Sequence, residues 1–503
     1  MTSIQRPKFT PTQCDSSIQL PGDGWIPLIT CAADFPVEIF EIVVTQLIHH
    51  PEYNSTLILR SEVISESTGS LPESVPTFDG FQSTRCIHRR LLPRRPGRDP
   101  SLDQYCTLYG KSTSTSTKDT TIVDTLLLTP IVEYGSDLPY YHPAVSHLAF
   151  RYIASDPPAL RIDVAPLPGI SLDPNARLYR TCLALLDTLH RYGWGAMTNY
   201  KKRVIHDYLI PREEYQDLYL VMRERHKHLV NTWQEVTDPL KHVFEDIGIA
   251  TYLILLWKDT FKSDATVDSS DSNTAEPWRK WPKPPGGFLD IGCGNGLLTH
   301  ILISEGYQGY GIDLRARTSW THYTDATQSA LRIHAFDPTA LRASDASSAE
   351  YFPPGVFIVG NHADELTPWL PVLSTLYNAS GYISIPCCSW AFDIRYERSS
   401  TPTYPLPTPD FADSLNLGGD GSNKSSYSMY RIWLASLSVH CGWEVECETL
   451  RIPSTRNWAI IGRRRLQSVS YRQAFANVEE IVEGVISRGL FKTRKPEGKA
   501  GEH

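Results

Sequence analysis

The spacing of apolar residues changes along the 503-residue chain and divides it into regions. Residues 1–165 hold short apolar runs, among them DTLLLTPIVEY and ALRIDVAPL, separated by proline-rich and Ser/Thr-rich turns. Short runs between such turns are typical of strands, so we predict an N-terminal mixed α+β, β-rich domain. Residues 166–261 carry apolar residues at helical spacing, and Asp238 followed by Pro239 is a typical start for the last of these helices.

After residue 287 the pattern alternates between strands and helices. The runs that predict strands are GGFLDIG, GYGIDL, LRIHAF, GVFIVGN and GYISIP. Such alternation is typical of a parallel sheet covered by helices. Two later runs, EVECETLRI and WAIIGRRR, are too close in sequence for a parallel crossover, so we predict an antiparallel hairpin at the C-terminal side of the sheet.

These patterns predict a domain organisation with two less regular segments. Residues 262–287 are rich in Ser, Asp and Pro and resemble a flexible linker, and KSTSTSTKDTT at 111–121 resembles a flexible surface insert. The predicted order is an N-terminal domain at 1–165, a helical segment at 166–261, a linker at 262–287, an α/β domain at 288–466, and a helix with a basic tail at 467–503.

Composition excludes several classes of protein. A net charge of -8 argues against a polycation, so contacts with nucleic acid require a local basic patch. Ten cysteines without a C-x-x-C pair favour reduced thiols, and we expect a cytoplasmic protein without a metal site. The apolar run at 249–257 is about half of what a membrane span needs, so we expect a soluble protein.

The stretch D-I-G-C-G-N-G at 290–296 is the strongest candidate for a ligand loop. Glycines let the backbone turn sharply and approach a ligand closely. The dinucleotide fingerprint fits poorly, because its last glycine falls on Leu297. The stretch instead resembles motif one of class I S-adenosylmethionine methyltransferases, whose Rossmann-like sheet also closes with an antiparallel hairpin. The resemblance implies a cofactor site made by five residues, Asp290, Gly292, Gly294, Asn295 and Gly296.

Further polar residues follow the predicted strands. Asp313 ends the second strand, where a carboxylate accepts hydrogen bonds from ribose hydroxyls. The family places adenine contacts near Asp337, and we assign Asn361 to the cofactor as well. A glycine triplet alone is also compatible with a structural turn, but the acidic residues at three strand ends favour the cofactor.

Catalytic residues are expected at the end of the fourth strand, because substrates bind at the carboxyl ends of parallel strands. There the sequence reads NHADELTPW, with His362, Asp364 and Glu365 as candidates. The alternative is that the two acidic residues only begin a helix. The pair Cys387 and Cys388 ends the next strand, where burial is a commoner role than nucleophilic chemistry.

Long segments resemble the fungal tRNA uridine 2'-O-methyltransferase family, which modifies position forty-four of serine tRNA. These are LDIGCGNGLLTHILISEGYQGYGIDLRARTSW, VGNHADELTPWLPVL and IPCCSWAFD. The resemblance implies methyl transfer from S-adenosylmethionine to a ribose 2'-hydroxyl. A base that removes the hydroxyl proton is useful, and we assign Asp364 to this role, with His362 or Glu365 as substitutes. Lys241 is a conceivable further catalytic residue.

Two features of the N-terminal domain predict RNA contacts. RCIHRRLLPRRPGR at 85–98 holds six arginines and no acidic residue, which suits phosphates, although a solvated or internally paired basic loop is the alternative. Tyr140, Tyr141 and His142 are candidates for stacking on bases or for the core. Other hypotheses for the chain are a nicotinamide oxidoreductase, a non-catalytic RNA-binding protein with a methyltransferase fold, and a methyltransferase with another RNA or protein substrate.

Overall fold

The chain divides into two units, Met1–Lys201 and Lys202–His503. The structure is a computed structural model that describes residues 6–14, 20–22, 24–112, 121–200, 205–262, 275–337, 350–399, 403–415 and 425–492. Most of the predicted surface insert and nearly all of the predicted basic tail lie outside the described residues. No helix in the described parts of the chain is long and apolar enough to cross a membrane.

The first unit is built on an antiparallel sheet of eight strands, which confirms the prediction of a β-rich domain. The strands are β1 Thr12–Gln13, β2 Ile26–Ala32, β3 Ile58–Ser67, β4 Gln82–Pro93, β5 Leu102–Ser112, β6 Thr121–Ile131, β7 Val145–Ile153 and β8 Ala159–Pro166. Their spatial order is β1-β2-β8-β7-β6-β5-β4-β3. Helices α1, Phe40–His49, and α2, Arg177–Met197, share a buried apolar core with the sheet.

Helix α2 belongs to this first unit. Its buried residues Leu178, Cys182, Leu186 and Leu189 recur at helical spacing and join the core of the sheet. The observed boundary after residue 201 therefore lies later than the predicted boundary at 165. Periodicity predicted the helix itself, but it does not show which sheet a helix covers.

The arginine-rich segment 85–98 is mainly a strand, β4, rather than a basic loop. Arg89 is 4% exposed, and its guanidinium donates to Oε1 of Gln104 and to backbone carbonyls in the last turn of α1. Arg90 is exposed and pairs with Asp103 across the sheet. The alternative of internal pairing therefore holds for these two arginines.

The second unit contains a seven-stranded sheet with helices on both faces. Its strands are β9 Phe288–Ile291, β10 Gly309–Asp313, β11 Leu331–Ile333, β12 Phe357–Asn361, β13 Gly381–Ile385, β16 Trp443–Thr449 and β17 Trp458–Arg465, and a small separate pair is β14 Trp390–Ala391 with β15 Ile394–Arg395. The order is β11-β10-β9-β12-β13-β17-β16. The first five strands in that order are parallel, and β17 runs antiparallel to both of its neighbours, β13 and β16, so β16 points the same way as the first five.

The helices cover both faces of this sheet because its strands are apolar on both sides. They are α3 Arg212–His226, α4 Pro239–Thr260, α5 Leu297–Ser304, α6 Asp325–Ala330, α7 Trp369–Leu376, α8 Phe411–Ser414, α9 Ser426–His440 and α10 Tyr471–Arg488. Helices α3, α4 and α5 share a core with Phe288 and Val359, and α7, α9 and α10 share one with Leu289 and Ile358. As predicted, Asp238 caps α4 by accepting a hydrogen bond from the Leu240 amide.

The second half of the predicted linker is ordered. Trp278 is 3% exposed, and its indole Nε1 donates to Oε2 of Glu305 over 2.8 Å. Glu305 is fully buried and also accepts from Arg225 and His226. These hydrogen bonds hold the pKa of Glu305 at about 2, against the opposing effect of burial. Residues 275–287 therefore pack as part of the folded second unit. Residues 263–274 lie outside the described residues.

Candidate active site

A cavity of about 570 Å³ lies at the carboxyl ends of β9, β10, β12 and β13. It is lined by residues of the glycine loop, by the segment after β12, and by the first turns of α4. Open α/β sheets bind their ligands at this edge. The structure therefore brings most of the predicted cofactor and catalytic residues to one place.

The glycine loop has the backbone that its sequence predicted. Gly292, Gly294 and Gly296 have φ angles of 71°, 55° and 75°, in the left-handed region that favours glycine. A Cβ on Gly294 would meet nothing within 4 Å, so the loop backbone borders open space. Gly296 does not line the cavity and instead precedes α5 as its N-cap. Asn295 lines it, and its side chain accepts from the Leu297 amide.

Asp290 lies at the bottom of the loop, and the protein itself satisfies only one of its two carboxyl oxygens. Its side chain accepts from the Thr299 hydroxyl through Oδ2, while Oδ1 is buried without a hydrogen-bond partner among the described residues. Burial raises the pKa of Asp290 to about 7, and Asp313 adds to this effect. A cationic ligand group would satisfy this carboxylate.

Asp313 connects the end of β10 to the glycine loop. Its Oδ2 accepts from the Gly294 amide at 2.9 Å, and each carboxylate oxygen has a second lone pair for a ribose hydroxyl. Asp337 does not line the cavity, although His334 and Phe336 do. β11 ends at Ile333, so Asp337 lies beyond the end of that strand. The predicted contact of Asp337 with the cofactor is therefore not supported by the residues that line the cavity.

The backbone after β12 is strained, and side chains of this segment contact acidic residues of α4. His362 and Asp364 have positive φ angles of 57° and 46°, which is costly for residues with a Cβ and is concentrated at functional sites. His362 Nε2 lies 3.3 Å from Oε1 of Glu245, and Asn361 donates to Asp246. When the Glu245 carboxylate accepts from Nε2, neutral His362 carries its lone pair on Nδ1, which has no partner among the described residues.

Asp364 and Glu365 also line the cavity, together with Lys241. The Cys387 thiol donates to Oδ1 of Asp364 over 3.3 Å. One potential ligand atom from each of Asp364, Cys387 and Cys388 lies within 4.8 Å of the other two. Burial and the Asp364 carboxylate raise the pKa of the Cys387 thiol, so this thiol stays protonated and is not poised as a nucleophile.

The sequence did not identify two acidic residues of this site, Glu245 and Asp246. They are 5% and 9% exposed and lie in the first turns of α4. Burial raises the pKa of Glu245, but the hydrogen bond with His362 and the nearby charge of Lys241 bring it below its ordinary value. Burial and the charge of Glu245 raise the pKa of Asp246. The sequence did hold a signal for them, because two adjacent acidic residues directly precede a long apolar run.

Comparisons with known proteins agree with this geometry. Residues 5–203 match the family model described as the TRM44-like, N-terminal bet v1-like domain. Residues 209–338, which include the glycine loop and Asp313, match the model described as a predicted AdoMet-dependent methyltransferase. The second unit therefore contains a methyltransferase domain whose cofactor is S-adenosylmethionine. No solved structure matches the chain.

Relatives match the chain over most of its length. A tRNA (uracil-O(2)-)-methyltransferase of Neurospora crassa is 34% identical, over 92% of this chain and 93% of that protein. The proteins of the same name from Schizosaccharomyces pombe and Candida glabrata are 34% and 32% identical, over 88% and 89% of this chain and 86% and 90% of their own lengths. The chain belongs to this fungal tRNA (uracil-O(2)-)-methyltransferase family, as its sequence motifs predicted.

Proposed function

We propose that the chain transfers a methyl group from S-adenosylmethionine to the ribose 2'-hydroxyl of a uridine in tRNA. The observation that carries this proposal is that the glycine loop and the ionisable side chains after β12 line one cavity. The names of the full-length relatives support the same substrate. A sheet in which six strands point one way, with the antiparallel β17 between β13 and β16, supports a class I, Rossmann-like methyltransferase domain.

Different residues of the cavity suit different parts of the cofactor. The buried carboxylate of Asp290 suits the ammonium group of the cofactor, and Asp313 suits its ribose. Gly292, Gly294 and Asn295 offer a close backbone surface between them. S-adenosylmethionine, when bound, supplies the reactive methyl group. Methyl transfer requires an in-line approach by the attacking oxygen, so these contacts fix the geometry on the donor side.

We assign the removal of the hydroxyl proton to Asp364, because it lines the cavity beyond β12. Its Oδ1 accepts from Cys387, so the carboxylate is oriented by the neighbouring strand. The pair of His362 and Glu245 is the second candidate, since Glu245 directs the proton of neutral His362 to Nε2 and leaves a lone pair on Nδ1. Glu365 remains a third, with no geometric feature that favours it.

Single-turnover methylation of tRNA, with enzyme in excess and both ligands saturating, tests these assignments. Asp364→Asn should lower the rate by about 100-fold to 10,000-fold, the usual contribution of a general base, with cofactor and tRNA affinities unchanged. Asp325→Asn makes the same chemical change on an exposed residue of α6 and serves as the control. A rate close to the parent's for Asp364→Asn, with a large loss for Glu245→Gln, would assign the base to His362 instead.

The nucleotide is a finer part of the proposal. The resemblance in HADELTPW and IPCCSWAF supports position forty-four of serine tRNA. Mapping 2'-O-methyluridine in serine tRNA after incubation with the full chain checks this, and methylation at another position or on another RNA would overturn it.

All ten cysteines are free thiols, which supports the expected cytoplasmic location.

A further inference from the structure

A second cavity, of about 470 Å³, lies within the first unit. Leu126, Leu128 and Phe150 of the sheet line its inner wall, and Arg177, Arg180 and Ala184 of α2 line its other side. Its size is within the range of about 300 to 1,000 Å³ that is typical of small-molecule pockets. The methyltransferase reaction does not involve this cavity, so its lining needs a separate explanation.

The cavity is strongly biased in charge. Three arginines line it, Arg89, Arg177 and Arg180, and no carboxylate is found among the described residues that line it. His142 adds no positive charge at neutral pH, because burial lowers its pKa to about 4 and the nearby Arg89 and Arg177 contribute. An apolar space walled by unneutralised cations fits a ligand that is both apolar and anionic.

Arg89 is held rigidly at the inner end of the cavity. It is 4% exposed and has no ion pair within the described part of the chain, and its donors reach Gln104 and the carbonyls of Leu47 and Ile48. Gln104 in turn hydrogen-bonds His142. The carbonyls at the end of α1 partly offset the charge of Arg89, as a helix C-terminus does.

The mouth of the cavity carries a planar platform. Tyr140 is 66% exposed, and the guanidinium of Arg177 lies 3.9 Å from its ring centroid. Arg180 follows Arg177 by three residues, so both side chains lie on the same face of α2. Aromatic rings and guanidinium planes stack on unpaired bases, and arginines bind phosphates.

A polar side chain in the wall of the cavity favours a ligand that offers a hydrogen-bond donor. Asn54 lines the cavity, and its Oδ1 is buried without a hydrogen-bond partner among the described residues. The oxygen is covered in this structure, and a turn of the Asn54 amide towards the cavity would let it accept a hydrogen bond from an N–H group of a nucleobase. A fatty acid would leave it unsatisfied, because the alkyl chain has no donor.

We propose that this cavity takes one unstacked nucleotide of a single-stranded segment of the RNA substrate, with the base inside and the adjacent phosphates on Arg177 and Arg180. The inference rests on the proposed function, since it assigns a binding site to the same tRNA. Single-stranded loops are the usual targets of specific RNA recognition, because their bases can leave the stack.

Two variants of the full chain test the two halves of the site. Arg177→Gln with Arg180→Gln should weaken tRNA binding and lower the slope of log affinity against log salt by about 0.7 for each phosphate that the protein no longer neutralises. Ala184→Trp places bulk in the mouth from an exposed helix position, and should weaken binding by roughly 5-fold to 150-fold with the salt slope kept. Arg191→Gln, on the same helix but outside the cavity, is the matched control.

Binding is measured by fluorescence anisotropy with tRNA and with a short oligouridylate, without cofactor. Circular dichroism and thermal unfolding confirm that the first unit of each variant is folded, because cofactor binding reports only on the second unit. If both variants bind tRNA with the affinity of the parent chain, the inference is wrong. It is also wrong if the cavity binds a labelled fatty acid and Ala184→Trp leaves RNA affinity unchanged. A parent chain that binds tRNA but transfers no methyl group would overturn the proposed function alone, because the binding comparison still tests the cavity.

Discussion

The cavity of the first unit and the cavity of the second unit differ in the charge of their walls. The first is lined by three arginines and, among its described residues, by no carboxylate. The second is lined by six carboxylates, against which stand three permanent cations. The carboxylates are Glu245, Asp246, Asp290, Asp313, Asp364 and Glu365, and the cations are Lys241, Arg317 and Arg456.

The difference matches the charges of two kinds of ligand. S-adenosylmethionine carries positive charge on its ammonium and sulfonium groups, and RNA carries negative charge on its phosphates. Burying a charge without a partner is expensive, so a protein retains such groups where a ligand of opposite charge neutralises them. Asp290 and Arg89 occupy equivalent positions in this respect, since each is nearly fully buried and each lacks an ion pair among the described residues.

The largest effect that sharpens this comparison is expected at Asp313. Asp313→Ala should weaken S-adenosylmethionine binding by about 1 to 3 kcal/mol, because the Gly294 amide and the cofactor ribose both lose their acceptor. Calorimetry measures the loss. Asp313→Asn keeps one acceptor oxygen and should lose less, whereas Asp325→Ala, on exposed α6, should lose nothing. Unchanged affinity in Asp313→Ala would remove this residue from the cofactor site.

The next effect concerns pH and Asp290. Burial raises its pKa to about 7, so the folded protein holds this proton more tightly than the unfolded chain does, and the stability that this proton gives is lost as pH rises towards 7. Cofactor affinity should run in the opposite direction, because the ammonium requires the ionised carboxylate. Between about pH 5.5 and pH 7.5 the affinity should rise by roughly 20-fold.

Asp290→Asn tests that assignment directly. The variant should bind S-adenosylmethionine weakly and with a much flatter pH dependence over the same range. Asp246 lies beside Asp290, and burial raises its pKa as well, so a residual slope in the variant would be assigned to Asp246. A slope as steep as the parent's would show that Asp290 does not control cofactor binding.

The two sites were not equally predictable from sequence. The glycine loop and Asp313 could be placed at the cavity from sequence because the connection between a strand and the next helix fixes them locally. Glu245 and Asp246 were missed because they meet the sheet edge through the tertiary packing of α4. Arg89 was expected to contact phosphates, yet it lies on the same face of β4 as Ile87 and Leu91, and that period of two predicts an inward side chain.

The two sites should also differ in how their binding depends on salt. Binding of tRNA should weaken steeply as salt rises, because phosphate contacts release counterions. Binding of S-adenosylmethionine should change little over the same range, because its charged partners are buried and are screened less. Parallel titrations of the parent chain with both ligands measure the two slopes. Equal slopes would mean that tRNA does not depend on exposed arginines such as Arg177 and Arg180.

The smallest effect is expected at Arg90, the outward neighbour of Arg89 on β4. Arg90 is exposed, does not line either cavity, and already pairs with Asp103 through Nε at 2.6 Å. Its charge is therefore engaged within the sheet, and Arg90→Gln should leave tRNA affinity and its salt slope unchanged. Fluorescence anisotropy measures tRNA binding by this variant and by the Arg177→Gln, Arg180→Gln variant under the same conditions. A loss of slope in Arg90→Gln would extend the RNA surface along β4 and show that the charge difference between the cavities is not what directs tRNA to the first unit.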